Sequence, residues 1–446
     1  MRTDIGLPGR GGDGSPEVQF RRTVSGAGGR GEMAQATESS APGWMPSSVG
    51  AAYRRGGADT GDLISGASYR AMLDALARAG SVLTTSRVPS SEVDQASGYR
   101  HLLVLLALGI DEALRASNPY EPHITAANVD SVLKWGMDCP DAAYSGTPVR
   151  ADAVYRLSGH RGTARYVGFQ VMAGMASTAN VVLDDLDIDA DGSFELILST
   201  EPHRGNWMEL SEGASSFVVR QFFYDWADEE PARLEIECLE SARAPDGAER
   251  LSAAGVARQL EALGELVETG LEFWLGIEES GRAQGTNMFR EPVNKTAMGA
   301  AAESVTVWGS WELEQRDALL IEVSPPDALY WSVALGNHWW ETIDYAAHQS
   351  SLNGFQAVVD EDGMFRAVVA HSDPGVANWL DTAGHRQGPA IFRWVRADGA
   401  PVPQTRVVQL DEVRDVLPPD TATTDPEARA KTIAERRAGV RRRFAR

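Results

Sequence analysis

The sequence predicts an α+β, β-dominated protein: two related antiparallel β-sandwich or jelly-roll-like modules, with an N-terminal helical region and a helical linker. Three observations carry this. Apolar spacing is helical over residues 61–138, gives way to short strand-like runs punctuated by turns, and repeats that change once. Asp191-Gly192-Ser193-Phe194 recurs as Asp362-Gly363-Met364-Phe365, and each copy leads through a strand-like run to a loop ending in Asn-Trp, at 206–207 and 378–379. A chain of 446 residues that is 43% hydrophobic also has room for two or three packed cores.

Taken in order, residues 1–60 are Gly- and Ser-rich and read as a disordered head. Gly26-Ala27-Gly28-Gly29-Arg30-Gly31 has the dinucleotide-fingerprint spacing, but no strand precedes it and no amphipathic helix follows, so it carries no nucleotide reading. Met33 is a candidate start. Residues 61–140 form a helical lead-in, with Ile64, Met72, Leu73, Leu76 and Ala77 near helical spacing, a buried helix over 99–115 and a break at Asn118-Pro119. Residues 141–240 are the first β module, with strands expected at 154–157, 165–171, 194–198 and 216–223. Helical periodicity returns in the linker, 241–300, through Leu251, Val256, Leu260, Leu263, Leu266, Val267 and Leu271. The second β module spans 301–415. Residues 416–446 are a basic helical tail, expected to be solvated.

Charge narrows the function. With 63 acidic against 41 basic residues the formal charge is −22, which argues against a nucleic-acid-binding body. The last 21 residues carry +6 and residues 41–425 carry −28, so the exclusion is weaker for the tail. The longest apolar run, 102–110, is far short of the ~20 residues that span a bilayer. Cys139 and Cys238, the two cysteines, are too few for a disulfide scaffold or a cysteine-ligated zinc site. The expectation is a cytoplasmic protein without a membrane partner.

Familiar catalytic signatures are missing. There is no G-x-S-x-G elbow, no His-Glu-x-x-His and no Walker loop. Asp187, Asp189, Asp191 and Gly192 imitate the start of a calcium loop, but its twelfth position is Leu198, and a tight acidic turn explains the pattern without metal. The densest polar chemistry lies between Asn337 and Arg386. His338, His348, His371 and His385 are the candidate acid/bases, with Glu341, Asp344, Asp373 and Asp381 to orient or charge-balance them. Trp339, Trp340 and Trp379 would wall a pocket, Asn337 and Asn378 would line it, and Arg386 would hold an anionic group. The same residue types also build satisfied sandwich cores and turns.

Leu335-Gly336-Asn337-His338-Trp339-Trp340-Glu341, Ser351-Leu352-Asn353-Gly354 and the run from Asp373-Pro374-Gly375 through Asn378-Trp379 to Gly384-His385 resemble bacterial proteins carrying the domain of unknown function 1214. The resemblance is strongest over 300–400. The 140–240 block is similar to the upstream region of such proteins, and 1–60 and 420–446 lie outside it. It implies β-rich sandwich or jelly-roll domains and brings no catalytic residue. The leading expectation is a cytosolic small-molecule enzyme working by acid–base chemistry, with no organic cofactor; no metal ligand is assigned, and a metal held by His338, Glu341, His348 and His371 is left open. A non-catalytic small-molecule or carbohydrate-binding protein, and a structural protein whose aromatics bury a dimer interface, stand as alternatives. Homo-oligomerisation is left open.

Overall fold

Two nine-stranded modules repeat one strand order. The computed structural model describes residues 59–444 apart from 116–117, 127–129, 175, 242–250, 295 and 297–298, so residues 1–58 of the expected disordered head, with Met33, lie outside the described residues. The first module contains β1 (Thr125–Ala126), β2 (Ala142–Pro148), β3 (Ala153–His160), β4 (Tyr166–Ala173), β5 (Ala176–Val182), β6 (Ser193–Ser199), β7 (Trp207–Glu209), β8 (Ser216–Phe222) and β9 (Arg233–Ser241). The second contains β10 (Met288–Phe289), β11 (Ser304–Glu312), β12 (Asp317–Val323), β13 (Ala328–Leu335), β14 (Ser351–Asn353), β15 (Phe365–Ala370), β16 (Trp379–Asp381), β17 (Gln387–Ala397) and β18 (Gln404–Gln409).

The first module pairs them as β1-β2-β8-β4-β5 and β7-β6-β3-β9, and the second as β10-β11-β17-β13-β14 and β16-β15-β12-β18. Adding nine to each number of the first gives the second. Even the one parallel pairing of named strands in each recurs, β6 with β7 and β15 with β16. Each pair of sheets closes on its own core, around Tyr155, Phe169 and Phe217 in the first and around Trp311, Phe365 and Phe392 in the second.

The repeated tetrapeptide is a hairpin turn in both modules. The amides of Gly192 and Gly363 donate to Asp189 and Asp360, each at 2.9 Å, and the glycines sit at φ 88° and 80°. Only glycine adopts that backbone without strain. The Asn of each Asn-Trp pair is a latch. Asn206 donates its amide to the carbonyls of Asp187 and Glu195 and accepts from the Asp187 amide. Asn378 does the same with Val358 and Arg366.

Four long helices complete the described fold. α1 (Ala67–Val82) and α2 (Glu92–Arg115) pack on α3 (Ala253–Ala283), the helix of the linker region, through Ala79, Leu83, Leu105, Leu263, Val267 and Leu271. Trp339 of the second module joins that same cluster. α4 (Pro426–Arg443) corrects the expectation of a solvated tail. Its Arg429 and Arg436 are buried; Arg429 meets Asp373 at 2.9 Å, and Arg436 donates to the Tyr345 carbonyl and to Ser351. The charge run alternates between a docked face and a wet one, which composition alone does not separate. No helix of the described residues is long and apolar enough to cross a membrane.

Candidate functional site

Asp94 and His101 stand seven residues apart on α2, two turns along one face, with Gly98 between them. The missing side chain at Gly98 makes room: a Cβ there would lie 2.7 Å from the Trp339 ring. The indole occupies that space, stacked on His101 with ring centres 5.7 Å apart, its Nε1 donating to the Asp94 carbonyl at 3.4 Å. A segment of the second module is thus seated on the face of a helix from the lead-in.

The turn carrying Trp339 is tightly built. Asn337 donates its amide to the Glu341 carbonyl at 2.8 Å, and its side-chain oxygen accepts from the amides of Trp339 and Glu341. Trp340 adopts φ 57° and Met137 φ 56°, and the Met137 amide donates to the Trp340 carbonyl at 2.6 Å. Left-handed backbone at two large residues is the kind of strain that a surrounding structure must hold in place.

Charged groups converge beneath this turn. His101 Nδ1 lies 2.8 Å from Glu341 Oε1, and the other carboxylate oxygen accepts from Asn337 at 3.1 Å. His101 is fully buried and Glu341 is 3% exposed; Nε2 of His101 is buried with no hydrogen-bond partner. Burial works to raise the Glu341 carboxyl, but His101, Asn337 and Lys134 outweigh it and hold it below its ordinary value. Lys134, also buried, donates to the Thr342 carbonyl at 2.8 Å and lies 4.4 Å over the Tyr345 ring. Burial lowers its ammonium and raises the neighbouring Asp138 carboxyl, which accepts from the Thr342 hydroxyl at 2.8 Å.

A second histidine–carboxylate pair sits on the other side of Trp339. His385 Nδ1 is 2.8 Å from Asp94 Oδ1, and Ser91 donates to the other oxygen at 2.6 Å. Burial tends to raise Asp94, yet His385 and Ser91 prevail and keep it below the usual carboxylate range. His338 touches Gln387 at 3.0 Å; burial, against the pull of Asp94, pushes it down to about 4. It is therefore neutral at physiological pH.

The sequence-predicted residues divide into groups. Asn337, His338, Trp339, Glu341 and His385 come together here. Trp340 turns the other way, stacked on Trp274 with its Nε1 donating to Glu278 at 3.1 Å. His348, partly exposed, lies 2.7 Å from Asp381, which raises it above its ordinary value despite partial burial. Asp344 accepts from the amides of Ala346 and Ala347. His371 meets the Thr382 hydroxyl at 2.7 Å, Asp373 pairs with Arg429, and Arg429 lies over the Trp379 ring. Arg386 pairs with Glu314 at the surface, and Asn378 is the latch described above. Among the described residues no group of three or more His, Cys, Asp or Glu side chains is placed to hold a metal ion. A cavity of about 460 Å³ lined by Glu303, Val305, Trp394, Arg396 and residues 397–400 contains none of these side chains.

Sequence reasoning missed Asp94, His101, Lys134 and Asp138, all in the lead-in. One signal was available: Lys134 is one of three lysines in the chain, set beside Trp135.

The family described as protein of unknown function DUF1214 matches residues 314–398. An uncharacterised protein from Burkholderia cenocepacia is similar in structure, with TM-score 0.74 and 30% identity, over 80% of this chain and 100% of its own. A Vibrio parahaemolyticus protein is a looser likeness, with TM-score 0.41 and 11% identity over 70% of this chain and 98% of its own. No curated protein matches.

Proposed function

This chain belongs to the DUF1214 family, whose description names no reaction, and we propose that it is a cytoplasmic small-molecule enzyme with His101 as its acid/base group. One observation carries the reading: His101 has Nδ1 fixed by Glu341 at 2.8 Å, and Nε2 buried and unpartnered. A carboxylate that orients one imidazole nitrogen leaves the other to give or take a proton, the arrangement used in general acid–base catalysis. Glu341 orients and charge-balances, Lys134 and Asp138 set the local field, and the Trp339 indole excludes water from one face. His385 with Asp94 is the second pair of the same site.

A substrate for this site is a small molecule with a group that exchanges a proton with the unpartnered His101 nitrogen. A metabolite screen by thermal shift, run on wild type and on His101→Gln, tests it. Compounds that raise the melting temperature of wild type and lose that effect in the variant support the reading. Equal shifts in both remove His101 from the site.

The alternative is a non-catalytic role in which the network fastens the helical lead-in to the second module. The near-complete burial and mutual pairing of Asp94, Asn337, Glu341 and His385 favour it. It predicts that His101→Gln lowers stability and alters no turnover. A dimer held by Trp339 and Trp340 would need surface on those indoles, which are 0% and 2% exposed within the single chain.

A further inference from the structure

The last turns of α3 carry polar atoms that none of the network around Trp339 uses. Glu278, fully buried, accepts from Trp340 through one oxygen, while its other oxygen has no hydrogen-bond partner. Arg282, one turn on along the same face, reaches Glu312 at 2.9 Å with one nitrogen and keeps Nη1 buried and unpartnered. Arg290, just past β10, lies 4.4 Å over the Trp308 ring and donates to the carbonyls of Gly281 and Gly285. Its Nε and Nη1 are buried without partners. Ser310 of β11, 1% exposed, has an unpartnered hydroxyl.

Gly281 ties these groups to one place. A Cβ there would lie 3.0 Å from Ser310 Oγ and 2.9 Å from the Trp308 ring, so the helix backbone runs close against β11. Both arginines act on the Glu278 carboxyl through space, yet neither bonds to it. Burial pushes that carboxyl up to about 7; the Trp340 hydrogen bond and the charges of Arg282 and Arg290 oppose the rise, and Glu312 adds to it. Below that pH, Glu278 is a hydrogen-bond donor. Every unpartnered atom of the set then donates, and the two guanidinium groups supply positive charge. Such a set matches a small oxyanion.

We propose that Glu278, Arg282, Arg290 and Ser310 form a binding site for a small oxyanion, either an organic carboxylate or a tetrahedral anion. The site lies on the far side of the Trp340 turn from His101 and does not depend on the role of that histidine. Tryptophan fluorescence reads it directly, since Trp308 and Trp340 both touch the set.

The test titrates the full chain with acetate and with sulfate at constant ionic strength, against chloride, at pH 6 and pH 8. Wild type is expected to give a saturable response to acetate, to sulfate or to both at pH 6, and none to chloride. Response to one alone identifies the carboxylate or the tetrahedral form. Arg282→Gln, on the partly exposed rim, is expected to weaken binding about tenfold. Wild-type affinity is expected to fall about tenfold from pH 6 to pH 8 as Glu278 ionises, whereas Glu278→Gln stays constant. No saturable response at pH 6, an unchanged affinity in Arg282→Gln, or the same pH dependence in Glu278→Gln overturns the assignment.

Discussion

His101 Nδ1 and Glu341 Oε1 meet at 2.8 Å although 240 residues separate them in sequence. The pair joins a helix of the lead-in to a strained turn of the second module, and Lys134 and Asp138 extend it. Removing Glu341 leaves His101 and Asn337 buried without their acceptor and takes a negative charge from the neighbourhood of Lys134. Glu341→Ala is expected to cost about 3–5 kcal/mol in urea unfolding, the usual penalty for breaking a buried pair from one side. A loss below about 1 kcal/mol, the scale of an exposed pair, contradicts the account.

Gly98 tests the fit of Trp339 against α2. Alanine there gains about 1 kcal/mol of helix propensity. Its Cβ would lie 2.7 Å from the indole and 3.0 Å from Leu83, and overpacking costs about 1–3 kcal/mol. Gly98→Ala is therefore expected to lower the melting temperature, and a rise would mean that the indole can move aside freely.

The two asparagine latches share one geometry but differ in burial. Asn378 is 4% exposed, and Asn206 is more open to water. Asn378→Ala is expected to lose about 2–3 kcal/mol, because three backbone partners are left in a dry setting. Asn206→Ala should lose less. Chemical denaturation of the two variants gives the order, and equal losses would show that burial does not control the latch.

Stability against pH separates two buried groups whose shifts oppose each other. Glu278 holds its proton more tightly folded than unfolded, so its contribution is present at low pH and is lost as pH rises from about 4.5 to about 7. His338 is lowered to about 4, so its contribution is present above pH 6.5 and is lost as pH falls toward 4. Each spans roughly 3 kcal/mol and they largely cancel in wild type. Glu278→Gln is expected to make the protein more acid-labile, and His338→Gln to make stability fall as pH rises toward 7. Melting curves from pH 4 to pH 8 that show neither trend would contradict both assignments.

Much of the architecture was legible because it is local. Asp-Gly turns, the Asn-Trp pairs and the strand-like runs recur in order, and the structure gives the two modules one strand order and one latch. The candidate site was legible in half. Asn337, His338, Trp339, Glu341 and His385 share one neighbourhood of sequence, but Asp94 and His101 reach it from a helix whose apolar residues read only as a buried stripe. Nothing local announces a partner 240 residues away. The basic terminal helix was opaque for a related reason, since Arg429 and Arg436 look like their solvated neighbours until the surface they dock on is known.

The most direct measurement of the central claim is turnover of the metabolite that most raises the melting temperature, by wild type and by His101→Gln. The account predicts that the variant still folds, and that its turnover falls by about 10²–10⁴-fold, the usual contribution of a positioned acid/base. Turnover equal to wild type in a folded variant would contradict it.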